Sequence, residues 1–177
     1  MKTLNEIYKQ TATDVAALGD KGTIHNYIDG YYENALSTYR SSATRVVEVG
    51  INEGHSIGMW QEYFQNAEII GVDIVNRNVK STARLIYGDA TKEETFADIS
   101  DIDVVIDDGS HLLSHQLMTF SILFPKLKNG GIYIIEDIQD LDNTVHYFKD
   151  LHYSFEVFDL RKDKNRYDDV IIQYKKI

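Results

Sequence analysis

The sequence predicts an α/β fold built on a seven-stranded, mostly parallel β-sheet, with helices on both faces and a C-terminal antiparallel hairpin. Five short β-branched runs alternate with segments whose apolar residues recur at helical spacing, a pattern typical of parallel sheets. Two further strand-like runs follow in the tail, and the segment between them is too short for a crossover helix. The chain has one proline and no flexible linker, so we expect a single domain over residues 1–177.

The first 40 residues predict a helical segment that precedes the sheet. Residues 19–23 contain two glycines and predict a turn. After this turn, Tyr27, Tyr31 and Ala35 recur at helical spacing, which predicts a helix over residues 24–36. We therefore divide the domain into a lead-in, residues 1–40, and a core, residues 45–177.

The core is predicted to alternate strands and helices before the hairpin. The expected strands are Arg45–Val49, Glu68–Ile74, Ala83–Gly88, Ile102–Asp107, Ile132–Asp137, Tyr153–Arg161 and Asp169–Lys175. Apolar residues at helical spacing mark three helices, around Ile57–Phe64, Leu113–Leu127 and Leu141–Phe148. We expect the second of these to end at Asn129, Gly130 and Gly131, because glycine is common just after a helix C-terminus.

Composition narrows the range of functions. The net charge of −10 argues against unspecific binding to nucleic acid or to an anionic membrane. Because the chain has no cysteine, disulfides and thiolate metal sites are excluded. The first residues include no apolar signal segment, and no apolar run approaches the roughly 18 residues of a membrane span. We expect a cytoplasmic protein without nucleic-acid or membrane partners.

Acidic residues and glycines stand where three predicted strands end, in the segments EVGINEG, DDGSH and IIED. In an open parallel sheet, the carboxyl ends of the strands line the ligand crevice. We therefore expect Glu48, Asp107, Asp108, Glu136 and Asp137 to surround one pocket. Such a pocket would suit a nucleotide-like cofactor together with a divalent metal.

The ends of the first three strands favour a nucleotide-type ligand. Gly50 and Gly54 would allow a tight turn and close approach of a ligand, although an ordinary strand-to-helix turn also uses glycines. Asp73 could accept from ribose hydroxyls and Asp89 from an exocyclic amine, or each could cap a helix. The G-x-G-x-x-G fingerprint of nicotinamide dinucleotide sites does not occur.

The paired carboxylates on the next two strands predict a cation site. Adjacent carboxylates repel, so Asp107-Asp108 and Glu136-Asp137 each need a cation, hydrogen-bond donors or exposure. Neighbouring strands lie about 4.8 Å apart, so both pairs could share one ion. Ligands that are all oxygen suit Mg²⁺, Mn²⁺ or Ca²⁺ rather than Zn²⁺. The alternative is a pair of unrelated solvated turns.

His111 follows Asp108 closely and is the candidate general base. An imidazole titrates near neutral pH, which suits proton removal from a hydroxyl beside a metal. A histidine at a helix start can also be a simple polar cap. His111 and His115 have the spacing of a zinc pair, but no third nitrogen ligand is evident in the sequence.

The order of these motifs, ExGxxxG, GVD, GDA, DDGSH and GGxYIIED, resembles that of class I S-adenosylmethionine-dependent methyltransferases. The DDGSH and IIED pair is similar to the metal-dependent sugar O-methyltransferases of the mycinamicin and macrocin type. The lead-in segment DKGTIHNYI, with Tyr31, also resembles theirs. The resemblance runs from about residue 19 to the tail hairpin and implies a Rossmann-like core. Asn52 departs from it, because a glycine is common at that position.

The resemblance also implies roles for the residues at the strand ends. S-adenosylmethionine and Mg²⁺ would be the cofactors, with Mg²⁺ held by Asp108, Glu136 and Asp137 and with His111 as the general base. The residues that we expect to bind S-adenosylmethionine are Glu48, Gly50, Asn52, Gly54, Asp73, Ile74, Asp89, Ala90 and Asp107.

The predicted function is transfer of a methyl group to a hydroxyl of a sugar or glycoside, in a natural product or a polysaccharide. One alternative is a catalytically silent cofactor-binding module that serves a partner or regulates it, motivated by Asn52 and the small size of the chain. Another is a metal-dependent hydrolase or hydroxylase on the same sheet. The expected partner is a small-molecule or glycan acceptor. The tyrosine-rich lead-in could also present apolar surface to a second copy.

Overall fold

A computed structural model describes residues 1–11, 19–149 and 154–177 of the chain. Its centre is a seven-stranded sheet in the order β3-β2-β1-β4-β5-β7-β6. The strands are β1 (Arg45–Val49), β2 (Glu68–Asp73), β3 (Arg84–Tyr87), β4 (Ile102–Asp107), β5 (Leu127–Ile135), β6 (Phe155–Asp159) and β7 (Val170–Lys175). The helices are α1 (Leu4–Thr11), α2 (Asp20–Thr23), α3 (Glu33–Ala35), α4 (His55–Tyr63), α5 (Leu113–Leu123), α6 (Leu141–Lys149) and α7 (Arg161–Lys164). A π-helical turn, Ile28–Tyr32, leads into α3.

Strands β1 to β5 are parallel, and β7 is antiparallel to both of its neighbours. The predicted fold class is therefore confirmed, including the hairpin and the single reversed strand beside the sheet edge. The chain moves outward in one direction from β1 through β2 to β3, then crosses back to β4 on the other side of β1. The gap between β1 and β4 is thus the point at which the strand order reverses, where ligands bind in open α/β sheets.

Two apolar cores cover the two faces of the sheet. Successive strand residues point to opposite faces, so that Val46 belongs to one core and Val47 to the other. The lead-in and α4 fill the first core, in which the rings of Tyr32 and Trp60 meet edge to face at 5.2 Å. Helices α5 and α6 fill the second core around Phe120. Helices therefore lie on both faces, as predicted.

The end of α5 differs from the expectation. The helix ends at Leu123, before a short 3₁₀ turn that contains Pro125, and β5 already begins at Leu127. Proline lacks the N–H that an interior helical position must donate, so it is the stop signal here instead of Gly130. With φ at +81°, Gly130 lies at the irregularity where the register of β4 against β5 shifts.

The lead-in and the tail differ in detail. Residues 20–23, expected as a turn, form the single helical turn α2, and the helix expected over residues 24–36 is limited to Ile28–Ala35. The segment between β6 and β7 contains α7, which ends at Asn165 in the left-handed conformation. Tyr153, predicted to begin the sixth strand, lies outside the described residues, as do residues 12–18. Over the described ranges, no helix has the length and apolar character needed to cross a membrane.

The tyrosines of the lead-in do not form the exposed apolar surface that was expected there. Tyr27, Tyr31 and Tyr32 are all 2 % exposed or less and belong to the first core. These three rings therefore leave no exposed apolar surface for a second copy, and the possible homo-oligomer stays a prediction.

Candidate active site

The acidic strand ends meet at one edge of the sheet, as the topology requires. Val49 at the end of β1 is paired with Asp107 in β4, and Asp107 is paired with Ile135 in β5. Backbone hydrogen bonds continue past the strands: Asp108 N donates to Val49 O at 2.9 Å, and Glu136 N donates to Asp107 O at 3.0 Å. Asp108 and Glu136 are thereby held side by side above the point where the strand order reverses.

A lysine from the lead-in lies among these carboxylates. Lys21 of α2 is 4 % exposed, and its Nζ donates to Asp108 Oδ2 and to Glu136 Oε1, each at 2.6 Å. The same Nζ lies 3.6 Å from Glu48 Oε1. Glu136 Oε1 also accepts a hydrogen bond from the Tyr32 hydroxyl. One buried ammonium therefore partly offsets the charge of three strand-end carboxylates.

Burial dominates the ionisation of this cluster. Removal from water favours the neutral acid and raises the pKa of Glu48 and Asp108, and it raises the pKa of Glu136 to about 7, while the Lys21 charge opposes each shift. For Lys21, burial acts to lower the pKa, but Asp108, Glu136 and Glu48 together raise it well above its usual value. Lys21 is therefore a fixed positive charge and not a proton acceptor.

At the ends of β4 and β5, His111 lies close to Asp137. Asp137 is 7 % exposed, and its Oδ2 lies 3.8 Å from His111 Nε2. Ligand atoms of Asp108, His111 and Asp137 all lie within 4.8 Å of one another, so these three residues form a candidate metal site. His111 Nδ1 is buried without a hydrogen-bond partner among the described residues, and Nε2 is the ring nitrogen that faces Asp137. The carboxylate oxygens of Asp108 and Asp137 are ligands that suit a divalent cation.

Glu136, the third predicted metal ligand, is bound differently. It is 1 % exposed, and it shares Lys21 with Asp108 while its neighbour Asp137 faces His111. Its backbone carbonyl accepts from Gln116 Nε2 at 3.2 Å. Glu136 therefore lies beside the candidate metal site and is linked to it through Lys21.

The loop between β1 and α4 is shaped for close approach. Gly50 has φ at +85°, and a Cβ at this position would stand 1.8 Å from the Asp108 carbonyl oxygen. Gly54, with φ at +82°, begins α4. Asn52 has φ at +46°, a conformation that asparagine tolerates better than most residues, and its backbone N donates to Asp73 Oδ2 at 2.8 Å. The residue that departs from the family pattern thus keeps the backbone conformation of a glycine.

Two neighbouring cavities lie along the crevice and share Gly50, Asp73 and Gly109 in their walls. The first, of about 480 Å³, is lined also by Lys21, Asn52, Asp108 and His111. The second, of about 300 Å³, is lined also by Ile74, Asp89, Ala90 and Asp107. Both volumes are in the range of small-molecule sites. Cavities that meet at shared residues suit an elongated ligand.

Most of the predicted cofactor residues therefore line these cavities, with different local roles. Asp73 Oδ1 accepts from Val75 N at 2.8 Å, and Asp89 Oδ1 accepts from the backbone and hydroxyl of Thr91 at 2.9 and 2.7 Å. These turn-forming contacts leave further lone pairs on both carboxylates. Glu48 is completely buried, accepts from Ser56 Oγ at 2.6 Å, and lines neither cavity.

Asp107 is the last residue of β4, flanked by β1 and β5, and it is almost completely shielded from solvent. It is 2 % exposed, and its Oδ2 accepts from the Tyr133 hydroxyl at 3.0 Å. Burial raises the pKa of Asp107 to about 7, although the bonds from Tyr133 and from the Gly109 N–H act in the opposite direction. The carboxyl can thus change its protonation near neutral pH at the wall of the second cavity.

Four lead-in residues at this site were not predicted from the sequence. Lys21 donates to two of the strand-end carboxylates, and Tyr27 and Tyr32 donate to one each. His25 lies 3.7 Å from Asp137. The segment DKGTIHNYI carried the resemblance to a known lead-in, which was the one signal for Lys21, His25 and Tyr27. A lysine in a turn and tyrosines at helical spacing predict surface charge and packing, so their contacts could not be inferred from spacing.

Sequence comparison finds relatives among enzymes of natural-product pathways. The chain is 37 % identical over 133 residues to an 8-demethyl-8-alpha-L-rhamnosyl tetracenomycin-C 2'-O-methyltransferase of Streptomyces olivaceus, a match that covers 68 % of this chain and 35 % of the relative. It is 35 % identical over 130 residues to an L-olivosyl-oleandolide 3-O-methyltransferase of Streptomyces antibioticus, with 66 % and 33 % covered. The chain spans about a third of the length of these relatives. No family model matches the chain.

Solved structures with the same fold include methyltransferases. The MycE methyltransferase from the mycinamycin biosynthetic pathway, in complex with Mg and SAH (S-adenosylhomocysteine), matches with a TM-score of 0.75 at 24 % identity, over 99 % of this chain and 55 % of that one. The SAH-bound methyltransferase PaMTH1 of Podospora anserina matches with a TM-score of 0.66 at 15 % identity, over 100 % of this chain and 88 % of that one. These matches establish the Rossmann-like methyltransferase fold.

Proposed function

This chain belongs to the family of the sugar O-methyltransferases and has the class I methyltransferase fold, and we propose that it methylates a hydroxyl of a sugar or glycoside. S-adenosylmethionine would be the methyl donor, and the reaction would depend on Mg²⁺. The observation that carries this proposal is the convergence of Asp108, His111 and Asp137 next to the glycine loop at Gly50. The site thus pairs a cation-binding group with a ligand cavity, as a metal-assisted transfer requires.

The donors of the acidic edge support a hard cation. Asp108 and Asp137 would hold Mg²⁺ through carboxylate oxygens, with Glu136 beside them, and the bound ion would lower the pKa of an acceptor hydroxyl. Lys21 would keep Asp108 and Glu136 in place by its two hydrogen bonds. Carboxylates that are already held in place need little rearrangement when a cation binds.

His111 is suited to receive the acceptor proton. Its Nδ1 is buried, so Nε2 is the nitrogen that an acceptor can reach from the cavity. Proton transfer to Nε2 would create an imidazolium, and Asp137 Oδ2 at 3.8 Å would stabilise its charge. The deprotonated oxygen would then attack the methyl group in line with the sulfur that leaves.

The two cavities would hold S-adenosylmethionine along the crevice. Gly50 and Asn52 line the first cavity, and Asp73 lies between the two cavities. Gly54, a predicted cofactor residue, lines neither cavity and packs against Val79. Asp89, Ala90, Ile74 and Asp107 would surround the part of the cofactor in the second cavity. Glu48 would act indirectly, by positioning Lys21 and Ser56.

The first experiment combines binding and turnover. SAH is titrated into the protein by calorimetry, and methyl transfer from S-adenosylmethionine is then measured with L-rhamnosyl and L-olivosyl glycosides in Mg²⁺ and in EDTA. We expect one-to-one SAH binding, turnover in Mg²⁺, and loss of turnover in EDTA that added Mg²⁺ restores. D137N should behave like the EDTA sample, whereas D142N, an exposed aspartate of α6, should behave like the wild type.

Each other outcome contradicts a separate part of the proposal. Full turnover in EDTA would exclude the metal. SAH binding without methyl transfer to any glycoside would indicate a silent cofactor-binding module, and failure to bind millimolar SAH would exclude a methyltransferase.

We also propose a cellular location and a chemical class for the acceptor. A cytoplasmic location follows from the need for S-adenosylmethionine, which is a metabolite of that compartment. A neutral or cationic acceptor is favoured over a nucleic acid, because a chain with net charge −10 repels phosphate. The same argument disfavours anionic membrane surfaces.

A further inference from the structure

A second buried polar cluster lies next to the candidate metal site, between the lead-in and the tail hairpin. It contains His25, Asp168 and Asp169, which are 4 %, 7 % and 0 % exposed. Asp168 is bound by Arg166, whose Nε and Nη2 donate to its two oxygens at 3.2 and 3.1 Å. Asp169 Oδ1 accepts a hydrogen bond from His25 Nδ1, since a carboxylate can only accept. The proton of the His25 ring is therefore on Nδ1.

This cluster is in contact with the carboxylate of Asp137. His25 Nδ1 lies 3.7 Å from Asp137 Oδ1, and the Tyr27 hydroxyl donates to the same oxygen at 2.5 Å. The His25 and Tyr27 rings are stacked, with centroids 4.7 Å apart and planes 17° from parallel. The Tyr27 hydroxyl therefore binds this oxygen directly, and His25 supports it by stacking on the Tyr27 ring. The other oxygen of Asp137 faces His111.

Asp137 has a backbone that needs such support. Its φ of +54° is in the left-handed region, which is unfavourable for a residue other than glycine. Such a conformation persists where the surroundings hold it. The next residue is tied to the tail by the bond from Ile138 N to Val170 O at 3.2 Å, directly beyond Asp169. The tail hairpin and the lead-in therefore hold Asp137 from two sides.

We propose that His25, oriented by Asp169, is a positioning residue for Asp137. Its ring stacks on Tyr27, whose hydroxyl binds one oxygen of Asp137. The other oxygen of Asp137 is thereby left to point toward the cation site that it would form with Asp108, beside His111. This inference rests on the proposed metal-dependent function. Partners of metal-binding carboxylates commonly change metal affinity or activity by about 10- to 100-fold when they are removed. His25 itself is too buried to meet an acceptor, so its effect passes through Asp137.

The test uses Mn²⁺ as the probe, because its binding to the protein can be followed by electron paramagnetic resonance without any turnover. Two variants with side chains of similar size separate the effect of the donor position from the effect of changed packing. H25N places an amide N–H near the position of Nδ1 and should bind Mn²⁺ within about threefold of the wild type. H25Q places its amide near Nε2, leaves Asp169 without a donor, and should bind Mn²⁺ about 10-fold or more weakly. SAH affinity should be unchanged in both variants.

The carboxylate gives an independent readout if a His25 variant does not fold. D169N should weaken Mn²⁺ binding to a similar degree, and the double variant H25Q/D169N should be no weaker than H25Q, because both changes break one contact. H146A, an exposed histidine of α6, is the matched control and should bind as the wild type does.

Two results would overturn the inference in different ways. Folded H25Q and D169N proteins with wild-type Mn²⁺ affinity would show that the cluster is structural only, with the proposed function intact. If the wild-type protein itself bound no Mn²⁺, the metal-dependent function would fail first and this inference with it.

Discussion

Three residues at the candidate site have a left-handed backbone without being glycine. They are Asn52, His111 and Asp137, with φ of +46°, +57° and +54°. Each of these conformations costs on the order of 1 kcal/mol or more, and such residues concentrate at functional sites. At His111 and Asp137 the unusual backbone aims a side chain at the crevice. The positions of these strained residues and the reversal of the strand order thus indicate the same site.

A substitution at His111 tests the proposed general base. H111N keeps a residue that tolerates positive φ but removes the group that accepts a proton. We expect turnover to fall by about 100- to 10,000-fold, the usual range for a general base, with SAH affinity within twofold of the wild type. Steady-state kinetics and calorimetry measure the two effects. H146A is the control, and wild-type turnover in H111N would exclude this role.

Asp107 predicts a pH dependence of stability. Its pKa is raised to about 7 by burial, whereas an aspartate in an unfolded chain titrates near 4. The folded protein therefore keeps a proton that the unfolded chain has released, so the stabilisation is complete below about pH 4 and is lost as pH rises through about 7. At about 1.4 kcal/mol per pKa unit, the loss is on the order of 4 kcal/mol.

Urea unfolding between pH 4.5 and 8, without metal or cofactor, measures this effect. D107N lacks the ionisable group, so its free energy of unfolding should fall less than that of the wild type across the range. D142N should follow the wild type because its position on α6 is exposed. Parallel curves for D107N and the wild type would contradict the raised pKa.

At the scale of elements, the turn from β1 into α4 decides how close a ligand can approach. Gly50 N donates to Val72 O at 2.8 Å, which ties this turn to β2, and Gly54 N donates to Ile51 O at 2.7 Å. The turn is therefore rigid before any ligand enters. A rigid, glycine-lined turn lowers the entropy that must be lost when a cofactor binds.

Two glycines of this region offer a matched pair of substitutions. G50A should destabilise the protein by about 3 kcal/mol or more, because its Cβ would overlap the Asp108 carbonyl and its φ is +85°. G58A, inside α4 with open space around it, should stabilise by about 0.5 to 1 kcal/mol through helix propensity. Urea unfolding measures both, and SAH binding should be lost in G50A alone. Equal stability of the two variants would contradict the close approach at Gly50.

At the scale of the whole molecule, the lead-in is part of the same apolar core as the sheet. Leu4 and Ile7 of α1 are 0 % and 1 % exposed, and they share a cluster with Trp60 of α4 and with Val46 of β1. The lead-in also supplies the donors that bind Asp108, Glu136 and Asp137. Over the described residues, packing and site geometry are therefore coupled, and one domain over residues 1–177 stays a prediction.

Unfolding cooperativity tests this prediction. I7A should reduce the free energy of unfolding by about 2 to 5 kcal/mol, the usual cost of a large apolar truncation in a core. Far-ultraviolet circular dichroism and Trp60 fluorescence should give one coincident transition in both the wild type and I7A. K2A, at an exposed position, is the control and should stay within about 0.5 kcal/mol. Separate transitions for the two probes would indicate an independently folding lead-in.

Features carried by neighbouring residues were predictable from the sequence. The alternation of β-branched runs and helical spacing determined the sheet, its hairpin and the reversed strand, because each signal lies within a few residues. The acidic strand ends followed, since parallel strands bring their carboxyl ends to one edge. The predicted end of α5 was wrong, because Pro125 comes before Gly130 along the chain and stops the helix first.

Only the tertiary structure decided which groups hold the acidic site. Lys21 meets Asp108 and Glu136 across 87 and 115 residues of sequence, and His25 meets Asp169 across 144. No local pattern encodes such contacts, because they depend on how the lead-in lies over the sheet edge and on where β7 enters the sheet. The sequence by itself determined the carboxylates and their common edge, and the packing of distant segments determined their partners.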